Sequence, residues 1–232
     1  MRIWDIQPGY LNRQSLLGEH RELHAMVSVI VNRKKGYARH PETLRWRGYG
    51  WALRQRHRIL AEEMALRGYR DQSPVRLRSG AGLWPEDFLD PPEQQFHLLA
   101  EKYRTLCAGR IPLPQTTRQL WAHHKYSIMA RHPGAYREIG RRAARCTNRE
   151  NFAALAGQFV EISRRPPSVG GIRNTLLHMW EHVSGYHCPR GSTPAAEWPL
   201  QRLLQETRRL AWRHSEPVLM ASTALSELGA WL

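Results

Sequence analysis

The sequence lacks the features of a secreted or membrane-spanning chain. Its 232 residues include only three cysteines, which are odd in number and far apart. That pattern argues against a disulfide framework and for a reducing compartment. The chain contains no run of eighteen apolar residues, which a transmembrane helix would need. Polar residues interrupt the start of the chain, where a signal peptide would have its apolar core. We therefore expect a cytoplasmic protein that makes no contact with a membrane.

Acidic residues are also scarce. The chain has 20 Asp and Glu against 35 Lys and Arg, which gives a formal net charge of +15, and 12 His add to the basic groups. Nine Trp and eight Tyr are interleaved with the arginines. Such a composition suits a phosphate polyanion, because arginine binds phosphate bidentately and aromatic rings stack on bases. The alternative is a solvated basic surface with no nucleic-acid partner.

Helical periodicity dominates, and no segment shows the apolar–polar alternation of a β-strand. Apolar residues of the first helix recur at steps of three, four and seven, as on one face of a helix. This predicted buried stripe comprises Leu16, Leu23, Val27 and Ile30. We predict an all-α protein with two packed helical parts, residues 1–112 and 113–232, and long basic loops.

Residues 32–50 are basic and rich in glycine and tyrosine, which indicates a loop that grips phosphate or, alternatively, a solvated linker. A helix is predicted over about 51–67, with Gly68 as its C-cap. His57 lies on the buried face of this helix, where a histidine is more often a core residue than a catalyst. A further helix is predicted to begin after Thr116 or Thr117 as N-cap.

The start of the chain carries a possible nucleophile. Unperturbed α-amines have pKa values of about 7.7–8.0, so much of such a group is neutral near neutral pH, whereas a lysine needs desolvation to act in the same way. Because Arg2 is not a small residue, Met1 is expected to be retained and to carry this amine itself. A carboxylate on the first helix, Glu22, is the predicted partner. The alternative is a frayed terminus without a role.

Residues scattered over about 1–75 form a recognisable pattern, which comprises Arg2-Ile3, Gly18-Glu19-His20-Arg21-Glu22-Leu23, Ala52-Leu53-Arg54-Gln55-Arg56-His57 through Glu63, and Arg67-Gly68-Tyr69. This pattern resembles that of the pyrimidine-dimer DNA glycosylases of phage and bacteria. Those resembling the bacterial branch are Pro8, Tyr10, Lys35-Gly36-Tyr37 and His40-Pro41.

The resemblance implies a DNA glycosylase with AP lyase activity. The amine of Met1 would attack C1′ of a damaged or modified nucleotide in double-stranded DNA, and Glu22 would assist, with no cofactor or metal and with the protein acting as a monomer. Ala25 stands where the family usually has a basic residue, which puts the choice of lesion in doubt. The predicted DNA-contacting residues are Arg2, His20, Arg21, Lys34, Lys35, Tyr37, Arg54, Arg58, His124 and Lys125.

The second half, from about 116 to 190, resembles an uncharacterised bacterial domain that also occurs in thiouracil desulfidases. The residues that carry this resemblance are His124-Lys125-Tyr126, Met129-Ala130, Tyr136-Arg137-Glu138-Ile139-Gly140-Arg141 and Asn174-x-Leu176-x-His178. It implies no specific chemistry. The tail, residues 194–232, is predicted to form two amphipathic helices.

Two other functions stay open from the sequence. His178-Met179-Trp180-Glu181-His182 fits the H-x-x-E-H pattern of a zinc metallopeptidase, and His187-Cys188 could supply another ligand. No third ligand is indicated downstream, and the strong positive charge has no role in peptide hydrolysis. The other possibility is a non-catalytic nucleic-acid-binding protein, whose affinity would fall with salt but which would form no covalent intermediate.

Overall fold

The computed structural model describes residues 1–146, 148–186 and 193–232. Within these ranges every regular element is helical and no β-strand occurs, which confirms the all-α prediction. The chain divides into two compact units, an N-terminal unit (Met1–Gly109) and a C-terminal unit (Arg110–Leu232). No helix among these residues is both long and apolar enough to cross a bilayer.

The N-terminal unit begins with a short 3₁₀ turn and contains four α-helices. Their bounds are Pro8–Tyr10 for the 3₁₀ turn, Arg13–Val31 for α1, Pro41–Trp46 for α2, Gly50–Leu66 for α3 and Pro92–Lys102 for α4. Helix α3 and the glycine that ends it agree with the prediction, since Gly68 adopts a φ of +82°, a left-handed conformation that favours glycine. No helix occurs between α3 and α4.

Helix α1 begins where the Asn12 side chain accepts a hydrogen bond from the backbone N–H of Ser15. Its buried face differs in part from the predicted stripe. Leu16 and Leu23 are buried as expected, whereas Val27 and Ile30 are only half-buried. The residues buried on α1 are Ser15, Leu16, Glu19, Leu23, Met26 and Val29. The buried face is rotated relative to the predicted stripe, since it includes the charged residue Glu19. A search for apolar periodicity leaves such a residue out.

Helix α2 lies inside the segment that was predicted to be an open loop, and that part of the prediction is wrong. His40 caps its N-terminus by accepting a hydrogen bond from the N–H of Glu42, and Pro41 occupies the first helical position. Glu42, Thr43 and Trp46 are buried. Six residues give too short a window for periodicity, and burial of these three side chains holds the helix in place.

The C-terminal unit contains seven α-helices in its described residues. They are α5 (Thr117–Met129), α6 (Pro133–Arg145), α7 (Phe152–Ser163), α8 (Val169–Glu181), α9 (Leu200–Arg213), α10 (Pro217–Met220) and α11 (Ala224–Glu227). Thr116 is the N-cap of α5, one of the two residues predicted for that position, and it also forms a capping box with Gln119. The tail has one helix more than expected, followed by a 3₁₀ turn over Leu228–Trp231.

Candidate active site at the start of the chain

The first residues of the chain are held by side chains rather than by secondary structure. Five consecutive backbone N–H groups each donate a hydrogen bond to a carboxylate or amide oxygen from another part of the N-terminal unit. The pairs are Arg2 to Glu22 Oε2 (2.5 Å), Ile3 to Glu42 Oε1 (3.1 Å), Trp4 to Glu19 Oε1 (3.1 Å), and Asp5 and Ile6 to Gln95 Oε1 (2.8 and 3.4 Å). The backbone of this segment is thereby fixed along its length.

The α-amine of Met1 lies 4.0 Å from Oε1 of Glu22. The methionine side chain is only 6 % exposed, and its sulfur accepts a hydrogen bond from Thr43 Oγ1 at 3.8 Å. The Glu22 side chain, by contrast, is 42 % exposed. One side of this carboxylate is therefore bound to the chain start, and the other side is open to solvent.

The helix face around Glu22 is free of bulky side chains. Gly18 lies one helical turn before it, and a Cβ added there would meet nothing within 4 Å. Ala25 is exposed about one turn after it. The carboxylate of Glu22 is therefore accessible between two small residues of α1.

A buried ion pair between α1 and α3 also contacts the first residues of the chain. Arg56 of α3 donates to both oxygens of Glu19 at 2.8 Å, and its remaining nitrogen donates to the carbonyl of Ile6 at 3.0 Å. Burial raises the pKa of Glu19 to about 7, while the guanidinium of Arg56 acts in the opposite direction. This pair joins α1, α3 and the terminal segment.

We expect Arg56→Met to lower the free energy of unfolding by about 3–5 kcal/mol, because it leaves the carboxylate of Glu19 buried without its charged partner. Urea denaturation followed by circular dichroism measures this loss. The matched control is Arg104→Met, which removes an exposed pair with Glu101 and should cost at most about 1 kcal/mol. Equal effects of the two changes would show that the buried pair does not anchor this unit.

A second carboxylate, Glu42, was not identified from the sequence. It accepts from the backbone of Ile3, from the indole N–H of Trp46 at 3.1 Å and from Arg45 at 3.3 Å. Arg45 also forms an ion pair with Asp5, which links α2 to the terminal segment. Burial raises the pKa of Glu42 above its ordinary value, although the nearby guanidinium of Arg45 acts in the opposite direction. The available sequence signal was a charged residue directly after Pro41, the proline at which α2 begins.

The predicted DNA-contacting residues of the N-terminal unit lie in different surroundings. Arg2 is already engaged, since it pairs with Asp90 at 2.7 Å and its guanidinium carbon lies 4.9 Å from the centre of the Trp4 ring. Arg54 is half-buried. The exposed members are Arg21, Lys34, Lys35, Tyr37 and Arg58.

The loop between α1 and α2 contains a surface cavity of about 590 Å³. It is lined by Lys35, Tyr37, Ala38, Arg39 and His40. The Tyr37 side chain is 66 % exposed, and its backbone has a φ of +59°. Exposed cations beside an exposed aromatic ring are the combination expected of a surface that binds single nucleotides and phosphates.

His20 does not stand on the open surface, although it was predicted to contact DNA. Its Nε2 lies 3.2 Å from Oδ1 of Asp71, and its ring packs against those of His24 and His57. This cluster of three histidines and an aspartate spans α1, α3 and the segment after α3. The sequence analysis predicted that His57 is a core residue. It is indeed buried, but its neighbours are the polar side chains of His24 and Asp71.

The two predicted DNA contacts in the C-terminal unit are placed differently from the prediction. His124 is buried, and its ring stacks on Phe159 with centroids 5.0 Å apart. Burial lowers its pKa to about 3, so it is a neutral core residue, and we do not propose it as a DNA contact. Lys125 is half-buried, with its ammonium 4.7 Å from the centre of the Tyr126 ring.

The histidines of the H-x-x-E-H pattern do not converge. His178 Nδ1 lies 3.4 Å from Glu181, while His182 accepts or donates a 2.7 Å hydrogen bond with the hydroxyl of Tyr126. In the part of the chain that the structure describes, these residues belong to no group of three or more ligands. The other suggested ligands, His187 and Cys188, lie outside the described residues.

Comparisons with known proteins agree with the two-part organisation. Residues 1–77 match the family described as pyrimidine dimer DNA glycosylase. Residues 125–189 match a family described as a protein of unknown function. Searches of curated proteins and of solved structures gave no match. The first match contains the complete chain start, α1 and α3, and therefore both Met1 and Glu22.

Proposed function

We propose, from the match of residues 1–77 to the pyrimidine dimer DNA glycosylases, that this protein is a DNA repair glycosylase with AP lyase activity. The observation that carries the proposal is the 4.0 Å separation between the α-amine of Met1 and the carboxylate of Glu22. A terminal amine held beside an accessible carboxylate is a nucleophile next to a group that can move protons and stabilise positive charge.

The proposed reaction begins with a duplex opened at a damaged base, where extrusion costs least. The neutral amine of Met1 attacks C1′, the C1′–N bond to the base breaks, and the base leaves with the bonding electrons and takes up a proton. Loss of one amine proton and opening of the sugar ring, whose oxygen takes up a proton, give a protonated Schiff base between the nitrogen of Met1 and C1′. This iminium acidifies C2′, so that loss of a C2′ proton expels the 3′ phosphate and cuts the strand.

Glu22 has two tasks in this scheme. Its negative charge stabilises the positive charge that develops at the sugar, and it accepts and returns protons as the amine is converted to an iminium. Positioned acid–base groups of this kind contribute about 10²–10⁴-fold to the rate. Its bond to the backbone N–H of Arg2 keeps the carboxylate beside the amine.

The basic surface supplies binding to DNA. Arg21 lies next to Glu22 in sequence and is exposed, and Lys34 and Lys35 extend from the loop after α1. We propose that these cations contact backbone phosphates around the lesion, and that Tyr37 stacks on a base. Each phosphate contact releases counterions, so binding should weaken as salt increases. No residue of this scheme requires a cofactor.

Borohydride trapping tests the proposal against a non-catalytic DNA-binding protein. Untagged protein is mixed with ultraviolet-irradiated, abasic or undamaged duplex in the presence of sodium borohydride, which reduces a Schiff base to a stable amine. A covalent protein–DNA complex and cut strand on a damaged substrate, with neither on undamaged DNA, support the glycosylase–lyase. Salt-sensitive binding without a covalent complex on either damaged substrate would support the binding protein.

A further inference from the structure

Four side chains of the N-terminal unit point one potential metal ligand each toward a common point. His20 and His24 lie one turn apart on α1, His57 lies on α3, and Asp71 lies in the segment that follows α3. The four ligand atoms all lie within 4.8 Å of one another. It is the only such group of three or more among residues 1–146, 148–186 and 193–232.

Three contacts within the cluster are close to the spacing of ligands around one metal ion. Nε2 of His57 lies 3.1 Å from Nε2 of His24, Nε2 of His20 lies 3.2 Å from Oδ1 of Asp71, and Nε2 of His57 lies 3.6 Å from Oδ2 of Asp71. Ligands at about 2.0–2.1 Å from a tetrahedral zinc ion are about 3.3 Å apart. The observed separations bracket that value.

The facing ring nitrogens also favour a central ion. The three imidazole centroids are 4.6, 4.8 and 5.1 Å apart, and His24 stands nearly perpendicular to both other rings. In the contacts measured, each ring uses the same nitrogen, Nε2, toward the centre. Two imidazole nitrogens facing each other at 3.1 Å can share only one proton, whereas a metal ion would use both lone pairs.

We propose that His20, His24, His57 and Asp71 bind a divalent transition-metal ion, Zn²⁺ foremost. Neutral imidazole suits zinc and its neighbours in the first transition row, whereas Mg²⁺ and Ca²⁺ prefer oxygen ligands. Four protein ligands fill a tetrahedral sphere, as in structural sites, and leave no open position for a substrate.

The cluster is sheltered from solvent. His57 is buried, and His20, His24 and Asp71 are half-buried. The carboxylate of Asp71 supplies a negative charge that would balance part of the charge of a divalent ion.

Such an ion would fasten α1 to α3 and to the segment after α3. The same turn of α1 that supplies His20 and His24 also supplies Glu22, so the ion would stabilise the helix on which the proposed catalytic carboxylate stands. The metal site does not depend on the proposed glycosylase chemistry, since it concerns different side chains and is measured by metal content and stability.

The test uses the full chain without a polyhistidine tag. Metal content is measured by mass spectrometry after purification, and protein stripped with a chelator is titrated with Zn²⁺ and, separately, with Co²⁺. We expect one equivalent of zinc to stay bound through gel filtration and to raise the melting temperature. Bound Co²⁺ should give the intense visible absorption of a four-coordinate site. A wild-type protein that binds neither ion would overturn the proposal.

Three variants locate the site. His24→Ala and Asp71→Asn change half-buried residues and should fold, and each should weaken zinc binding at least about 100-fold. The control is His97→Ala, which removes a 55 % exposed histidine elsewhere in the unit and should leave the affinity unchanged. Circular dichroism spectra establish that the variants are folded. Zinc binding that is undiminished in both ligand variants would contradict the assignment.

Discussion

A chain that carries three extra residues before Met1 is expected to lose at least about 100-fold of its strand-cutting rate on damaged DNA, the lower limit for losing a positioned catalytic group. The extension converts the α-amine into an amide, whose nitrogen is neither basic nor able to form a Schiff base. It also places new residues where the amine lies 4.0 Å from Glu22. The measurement is a single-turnover cutting assay on irradiated and abasic duplexes.

The matched control carries the same three residues after Leu232, where the scheme places no chemistry. Intact-mass spectrometry establishes that each protein has the intended first residue, and circular dichroism establishes that each is folded. The extended protein should still bind DNA, since the exposed cations are unchanged. If it cuts at the rate of the control, the amine of Met1 is not the nucleophile.

The second large effect is expected from Glu22→Gln, which should slow cutting by about 10²–10⁴-fold. Glutamine has nearly the same shape, and its carbonyl oxygen can still accept the hydrogen bond from the backbone N–H of Arg2. It carries no charge and cannot exchange protons, so the iminium and its transition state lose their stabilisation. Affinity for DNA should stay the same or increase, because a negative charge near phosphate is removed.

Glu86→Gln is the control for this change, because Glu86 is an exposed carboxylate in the same unit. It alters the net charge equally and should leave the rate within about twofold of wild type, as expected for a surface position. Full activity of the Glu22 variant on both damaged substrates would remove the carboxylate from the mechanism. If the Glu22 variant were inactive because it is less stable, its urea midpoint would be lower than that of the wild type, which distinguishes this case from the loss of a catalytic group.

Local sequence signals predicted helix ends well. The glycine after α3 and the threonine N-cap of α5 each act within a few positions along the chain, so the sequence contains the whole motif. The short helix α2 was missed because its stability comes from the burial of Glu42 and Trp46 and from bonds to residues far away in the chain.

The candidate site was predictable only in its two principal residues. Resemblance to the pyrimidine-dimer glycosylases singled out Met1 and Glu22, whose catalytic roles stay predictions. The residues that hold the chain start were not predictable, since Glu19, Glu42 and Gln95 lie 15 to 90 positions from their partners. The local signs of this network were a charge on the buried face of α1 and the charged residue that follows Pro41.

The histidine cluster shows the same limit. His20 and His24 have the i, i+4 spacing of neighbouring ligands on a helix, which is visible in the sequence. Their remaining partners come from α3 and from a segment without regular structure, so only the folded chain brings them together. His20 was consequently interpreted as a surface residue.

The most direct measurement is the identity of the atom that becomes attached to DNA. The borohydride-trapped complex is digested with protease and nuclease, and the modified peptide is sequenced by tandem mass spectrometry. The account predicts a deoxyribose-derived adduct on the α-nitrogen of Met1, formed on damaged DNA. An adduct on a lysine side chain, with Met1 unmodified, would contradict it.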